Sequence, residues 1–67
     1  MSNNMLELTK YVLKKVSFDR QLFRKELNKA IRHLSRDELL ALYAWCLVHF
    51  TSEYQDLIRE AFVKALA

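Results

Sequence analysis

The chain contains no glycine and no proline in 67 residues, and these two absences exclude more than any residue present. Glycine and proline build tight turns and hairpins, and glycine lets a backbone approach a phosphate closely. Their lack argues against strand-rich folds, whose hairpins need positive φ, and against phosphate-cradling loops. Cysteine is scarce as well: Cys46 stands alone, so no intramolecular disulfide forms, and with His33 and His49 it does not complete a four-ligand zinc set. A chain this short buries only about 60% of the surface it exposes when unfolded. Without disulfide or metal, stability has to come from regular helix packing or from association.

Long hydrophobic runs are missing too. The longest nearly uncharged stretch, Leu39 to Ser52, is well short of the ~20 residues that span a bilayer, so it reads as core or interface. Met1 to Asn4 lacks the basic start of a signal peptide, and Met5 to Val16 is interrupted by Glu7, Lys10, Lys14 and Lys15. A cytoplasmic location with no membrane partner is expected.

What is present is helical periodicity. Met5, Leu8, Val12, Leu13 and Val16 fall on one side of a helix that starts near Asn4, capped by Asn3 or Asn4, and ends near Lys15. Asp19 suits the cap of a second helix over 20–34, with Phe18 and Phe23 spaced as a hydrophobic staple. Its apolar arc is Phe23, Leu27, Ala30, Ile31 and Leu34. Ser35 and Glu38 form an S-x-x-E capping box with Leu34 and Leu39 as staple, which starts a third helix over 36–50. Ser52 and Gln55 match a second capping box ahead of Tyr54, Leu57, Ile58, Ala61, Phe62 and Ala65 in a fourth helix over 53–66. Because Thr51 and Ser52 can ride inside a helix, one continuous helix from Arg36 to Leu66 is the alternative, and it would favour a dimer.

The net charge of +3 is divided along the chain. Residues 10 to 36 hold nine basic side chains against Asp19 and Glu26, a net +7, whereas residues 37 to 67 carry −3. Lys25, Lys29, Arg32 and Arg36 recur along the far side of the second helix and its continuation, a candidate face for an anionic partner such as nucleic acid. The bland alternative is a solvated face partly matched by the acidic second half. A helix-turn-helix reading of the Leu34–Ser35 junction fails on chemistry: past Arg36 at its start the following helix is nearly all apolar, whereas a recognition helix needs Arg, Lys, Asn or Gln facing base edges.

Within Leu39 to Phe50 only His49 is distinctly polar. A helix apolar all round is either surrounded by neighbours or partly covered by another chain. Tyr43, Trp45, His49, Phe50 and Tyr54 are therefore the candidate protein interface, since Trp and Tyr anchor such surfaces. Cys46 and His49, three apart, have the spacing of two metal ligands or of a nucleophile and its base. Nothing marks an orienting group or oxyanion site beside them, and a cysteine inside Leu42 to Val48 reads as a small buried hydrophobe. No catalytic, cofactor, metal or small-molecule site is expected, and the chain is not read as an enzyme.

The stretch Val12-Leu13-Lys14-Lys15-Val16-Ser17-Phe18-Asp19-Arg20-Gln21-Leu22-Phe23-Arg24-Lys25-Glu26-Leu27-Asn28-Lys29-Ala30 resembles short, uncharacterised helical proteins of Bacteroidetes-type bacteria. The resemblance implies a bacterial, intracellular, stand-alone domain and brings no activity, cofactor or functional residue. The combined expectation is all-α: one domain over residues 1–67, a compact bundle of four short helices that serves as a non-enzymatic protein-interaction or self-associating unit, with nucleic-acid association as the alternative.

Overall fold

In the computed structural model, which describes residues 4–50 and 52–67, the chain forms α1 (Asn4–Lys15), α2 (Arg20–Ile31), α3 (Arg36–His49), a single 3₁₀ turn (Ser52–Tyr54) and α4 (Gln55–Leu66). The start signals explain two of these helices. The Asp19 carboxylate accepts from the amides of Gln21 and Leu22 at 3.0 and 3.2 Å, meeting donors that a helix start leaves unpaired. At α3 the capping box is complete: Glu38 N–H donates to Ser35 Oγ, and Ser35 N–H donates to Glu38 Oε1 at 2.9 Å. Leu34 and Leu39 both enter the core beside it. Of the two caps expected for α1, Asn4 is already the first residue of the helix and Asn3 lies outside the described residues.

The helix ends show what replaces glycine. No described residue has positive φ, so the left-handed cap that ends many helices is absent among them. Instead α2 tightens: Arg32 N–H donates to the Lys29 carbonyl and His33 N–H to that of Ala30, both three residues back. The helix therefore stops at Ile31 rather than at the expected 34, freeing Leu34 to turn into the core. At the end of α3, Phe50 takes extended backbone, φ −119° and ψ 150°. The third and fourth helices are separate elements, and the continuous 36–66 alternative is not adopted. Ser52 and Gln55 do not form the expected capping box: Tyr54 is the cap of α4, without a side-chain bond, and Gln55 Nε2 donates instead to the Leu47 carbonyl at 3.4 Å.

Packing is cyclic. α1 lies against α2 and α3, and α4 lies against the same two helices from the other side. Leu13, Phe23, Leu27, Leu42, Cys46, Ile58 and Phe62 are fully enclosed at the centre. The Cα radius of gyration is 10.8 Å, against about 11 Å for a closed globule of this length. One chain therefore completes its own core. Thr9, the one polar residue in it among those described, donates from Oγ1 to the Met5 carbonyl at 2.7 Å, which removes the cost of burying an unpaired hydroxyl.

Two expectations about apolar faces need correction. The inner stripe of α1 is Leu6, Thr9 and Leu13, followed by Val16, while Met5 and Leu8 are exposed. The two stripes share the spacing i, i+3, i+7 and lie side by side on the helix, so periodicity alone does not separate them. Phe18 does not staple to Phe23: it is 80% exposed. The Phe23 ring is already held by Phe50 and Tyr54, with centroids 4.8 and 4.6 Å away, and Tyr54 Oη donates to the Ser17 carbonyl at 2.6 Å. Those two aromatic contacts fill the place a staple would take.

Candidate interaction surfaces

The five aromatic and imidazole residues expected at the interface do not form one outward face. Tyr54 is buried and Phe50 half-buried, both against Phe23. Tyr43 turns toward α4 and stacks on Phe62 at 5.0 Å. Trp45 turns toward α1, where Lys10 Nζ sits 5.8 Å from its ring, and it also meets Phe50 edge-on at 5.4 Å. His49 is the exposed member, its ring 4.7 Å from that of Trp45. Together these rings close the ends and flanks of the core.

The surface that α3 leaves open is built from residues that aromatic content does not single out. Leu39, Leu42 and Cys46 point inward. On the opposite side Leu40 is 49% and Val48 80% exposed, with Ala41 and Ala44 exposed between them. Residues 40, 44 and 48 recur at i, i+4, i+8, so they make a single outward ridge, large, small, large. Arg36, four residues before Leu40 on the same row, and Asp37 beside it are both exposed at its N-terminal end. The signal is present in the sequence: once 39, 42 and 46 are assigned inward, 40, 44 and 48 must face out.

A second apolar surface lies between α1 and α2. Met5, Leu8 and Val12 line one wall of an open groove of about 290 Å³, and Lys29, Ala30 and His33 line the other. Glu26 is the one carboxylate of its lining. Leu22, four residues before Glu26 on the same face of α2, is also partly exposed. Helical spacing hides the groove, because it assigns Met5, Leu8 and Val12 to the core.

Of the four candidate anion-binding residues, Lys25, Lys29 and Arg32 share the outer face of α2 and its last turn, while Arg36 opens α3. All four are exposed, and none of them belongs to an ion pair among the described residues. Arg20 behaves differently. Its guanidinium donates to both Asp56 oxygens at 3.1 and 3.0 Å and to the Glu53 carbonyl, joining the start of α2 to the start of α4. The hydrogen bond from Arg20, helped by the Leu57 amide, holds the Asp56 carboxyl below its ordinary range. Part of the basic half is thus matched internally by the acidic half, and the outer face of α2 is not.

Cys46 is fully enclosed, and burial pushes its thiol up to about 12. It stays protonated near neutral pH, which disarms both a nucleophile and a metal ligand. His49 faces solvent instead of joining it. No cluster of three or more His, Cys, Asp or Glu side chains occurs among the described residues, and no helix among them is long and apolar enough to cross a membrane. No protein-family model, curated protein or solved structure matches the chain.

Proposed function

We propose that the chain is a non-enzymatic protein-interaction domain whose working surface is the outer ridge of α3, acting in the bacterial cytoplasm that its sequence resemblance implies. The observation that carries this reading is the exposure of Leu40 and Val48 on a helix whose opposite face already fills a complete core. Large side chains left out of a finished core are not needed for folding, and contiguous exposed apolar surface marks interaction sites. The enclosed Cys46 supports the non-enzymatic part of the reading, because the thiol spaced three residues from His49 is out of reach of solvent.

Native mass spectrometry of the chain purified from the cells that make it, wild type beside Val48→Lys, tests the proposal. Complexes are expected with the wild type and should vanish in the variant at unchanged melting temperature. A wild-type chain that remains alone, both from cells and at high micromolar concentration, would overturn it.

A second reading has an observation of its own. Lys25, Lys29, Arg32 and Arg36 are exposed with no ion-pair partner among the described residues, and Phe18 and Tyr11 add exposed rings near the α1–α2 turn. Cations with stacking platforms suit a single-stranded nucleic acid, bound through phosphates and weakened by salt. The absence of DNA or RNA binding at low ionic strength would end this reading.

A further inference from the structure

The large apolar side chains that the fold leaves exposed are not spread evenly, and the basic charge follows the same bias. Met5, Leu8, Tyr11, Phe18 and Leu22 all belong to α1, α2 or the turn between them, against Leu40, Val48 and Val63 in the rest of the described chain. We propose that the outer face of the α1–α2 pair is a docking surface for an anionic lipid bilayer, on which the domain lies without crossing it. The proposal goes beyond the interaction reading of the α3 ridge and does not depend on it. The expected lack of a membrane partner rests on the want of a spanning segment, which is a separate matter from a surface contact.

Helical spacing builds the face. Leu8, Tyr11 and Lys15 stand at i, i+3, i+7 on α1, and Leu22, Lys25 and Lys29 repeat that spacing on α2. All six are exposed. The groove walls fix which way the two rows look: Met5, Leu8 and Val12 meet Glu26, Lys29 and Ala30 across it, while Leu13, Phe23 and Leu27 turn into the core. At about 100° per residue, Lys15 lies within about 20° of Leu8 around α1, and Lys29 within about 20° of Leu22 around α2. Both rows therefore follow the open rim of the groove, on the side away from the core. Phe18, 80% exposed, stands in the turn at one end of them.

Charge selects the occupant once every carboxylate of this half is placed. Glu7 is engaged by Lys10 at 3.4 Å, and Asp19 is spent on the amides of Gln21 and Leu22. Glu26 lies in the groove, where it offsets Lys29. Lys15, Lys25 and Arg32 remain, exposed and outside any ion pair among the described residues. Cations beside exposed leucine and phenylalanine suit a surface that is negative in its outer layer and hydrocarbon just beneath. Lysine stems lie along apolar material with their charged ends among the headgroups, and each cation near an anionic leaflet strengthens binding about fivefold. Nucleic acid matches the charge but not the rest. Met5, Leu8 and Leu22 have no flat face to stack on a base, and the Tyr11 ring already carries Lys15 Nζ at 5.3 Å. A few cations and apolar side chains make a reversible contact rather than an anchor.

Flotation with vesicles of equal parts phosphatidylglycerol and phosphatidylcholine, beside vesicles of phosphatidylcholine alone, tests this. The wild type should float with the anionic vesicles at low salt, stay behind with the neutral ones, and be released by high salt. Lys25→Gln and Arg32→Gln should each weaken binding about fivefold. Phe18→Ser keeps the charge and should weaken it about tenfold, the lower end for returning a large apolar side chain to water. Val48→Ser, which removes an equally exposed apolar side chain from α3, should float like the wild type. All four positions are exposed, so the melting temperature should not move; Leu8→Ser replaces Phe18→Ser if that variant lowers it. A wild type that never floats, equal flotation with neutral vesicles, undiminished flotation of the Phe18 variant, or loss of it in the Val48 variant would each overturn the proposal. Fluorescence anisotropy of a single-stranded oligonucleotide at the same low salt separates the rival, since binding there without flotation would give the face to nucleic acid. The protein complexes expected of the α3 ridge are read separately, by native mass spectrometry of the Val48→Lys chain.

Discussion

The two sides of α3 carry nearly the same chemistry and meet opposite fates. Leu39, Leu42 and Cys46 are enclosed, while Leu40, Ala44 and Val48 stand in solvent on the other side of the same helix. Hydrophobicity alone therefore does not decide what is core. What decides is the number of neighbours available: α1 and α4 cover two flanks, α2 reaches the far side of the core, and no fifth helix among the described residues covers the outer side. A short chain with one helix too apolar for its surroundings has placed the excess on one ridge.

The sharpest way to break the comparison is to shorten one leucine on each side. Leu42→Ala leaves a cavity at a fully enclosed site and should cost about 2–5 kcal/mol. A domain of this length has roughly 3–10 kcal/mol in total, so the variant should melt far below the wild type or be partly unfolded at 25 °C. Leu40→Ala, at a half-exposed site, should stay within about 1 kcal/mol. Urea denaturation followed by circular dichroism compares the two. Equal losses would mean that the ridge is part of the core and that the interaction reading is wrong.

A middle-sized effect comes from the aromatic end of α3. Tyr54 Oη ties the α1–α2 turn to the α3–α4 corner through the Ser17 carbonyl at 2.6 Å, and its ring packs on Phe23 with centroids 4.6 Å apart. Tyr54→Phe removes the hydrogen bond and keeps the ring, so it should cost about 1 kcal/mol, a fall in Tm of about 4–8 °C. A variant as stable as the wild type would show that packing of Phe23, Phe50 and Tyr54 holds this corner without the hydroxyl.

Much of this division is legible in the sequence of residues. Ser35, Glu38 and Asp19 announce their helices because capping is local: the donors, the acceptor and their spacing all lie within four residues. Boundaries that depend on tertiary fit are not legible in the same way. Leu34 leaves α2 early because the core has room for it, and Phe18 is excluded because Phe50 and Tyr54, more than thirty positions away from it, reach Phe23 first. The same limit explains the site. The number of apolar residues on α3 marks an excess, but the aromatics, conspicuous by size, are absorbed by Phe23, Phe62 and Lys10. The ridge is made of the smaller residues left over, and the groove of a stripe on α1 indistinguishable by spacing from the buried one.

The smallest effect concerns the polar surface, where the rule that neighbours decide takes an electrostatic form. Arg20 and Asp56 connect α2 to α4 in solvent-exposed positions, and exposed pairs contribute little beside packing. The sign of the contribution is nonetheless determined. Asp56 is held below its ordinary 3.8 in the folded chain, so the unfolded chain binds its proton first as the pH falls. The pair's stabilisation is full above about pH 4 and is lost as the pH drops through the lower folded value. Asp56→Asn should therefore shift Tm slightly downward at pH 7, and the difference should shrink as the pH falls through the lowered folded value. In 1 M salt the pH 7 difference should shrink, because screening reaches an exposed pair. A shift that persists unchanged at pH 2 would instead trace the effect to the packing of the α4 start, leaving the charge of the pair without a role in joining the two halves.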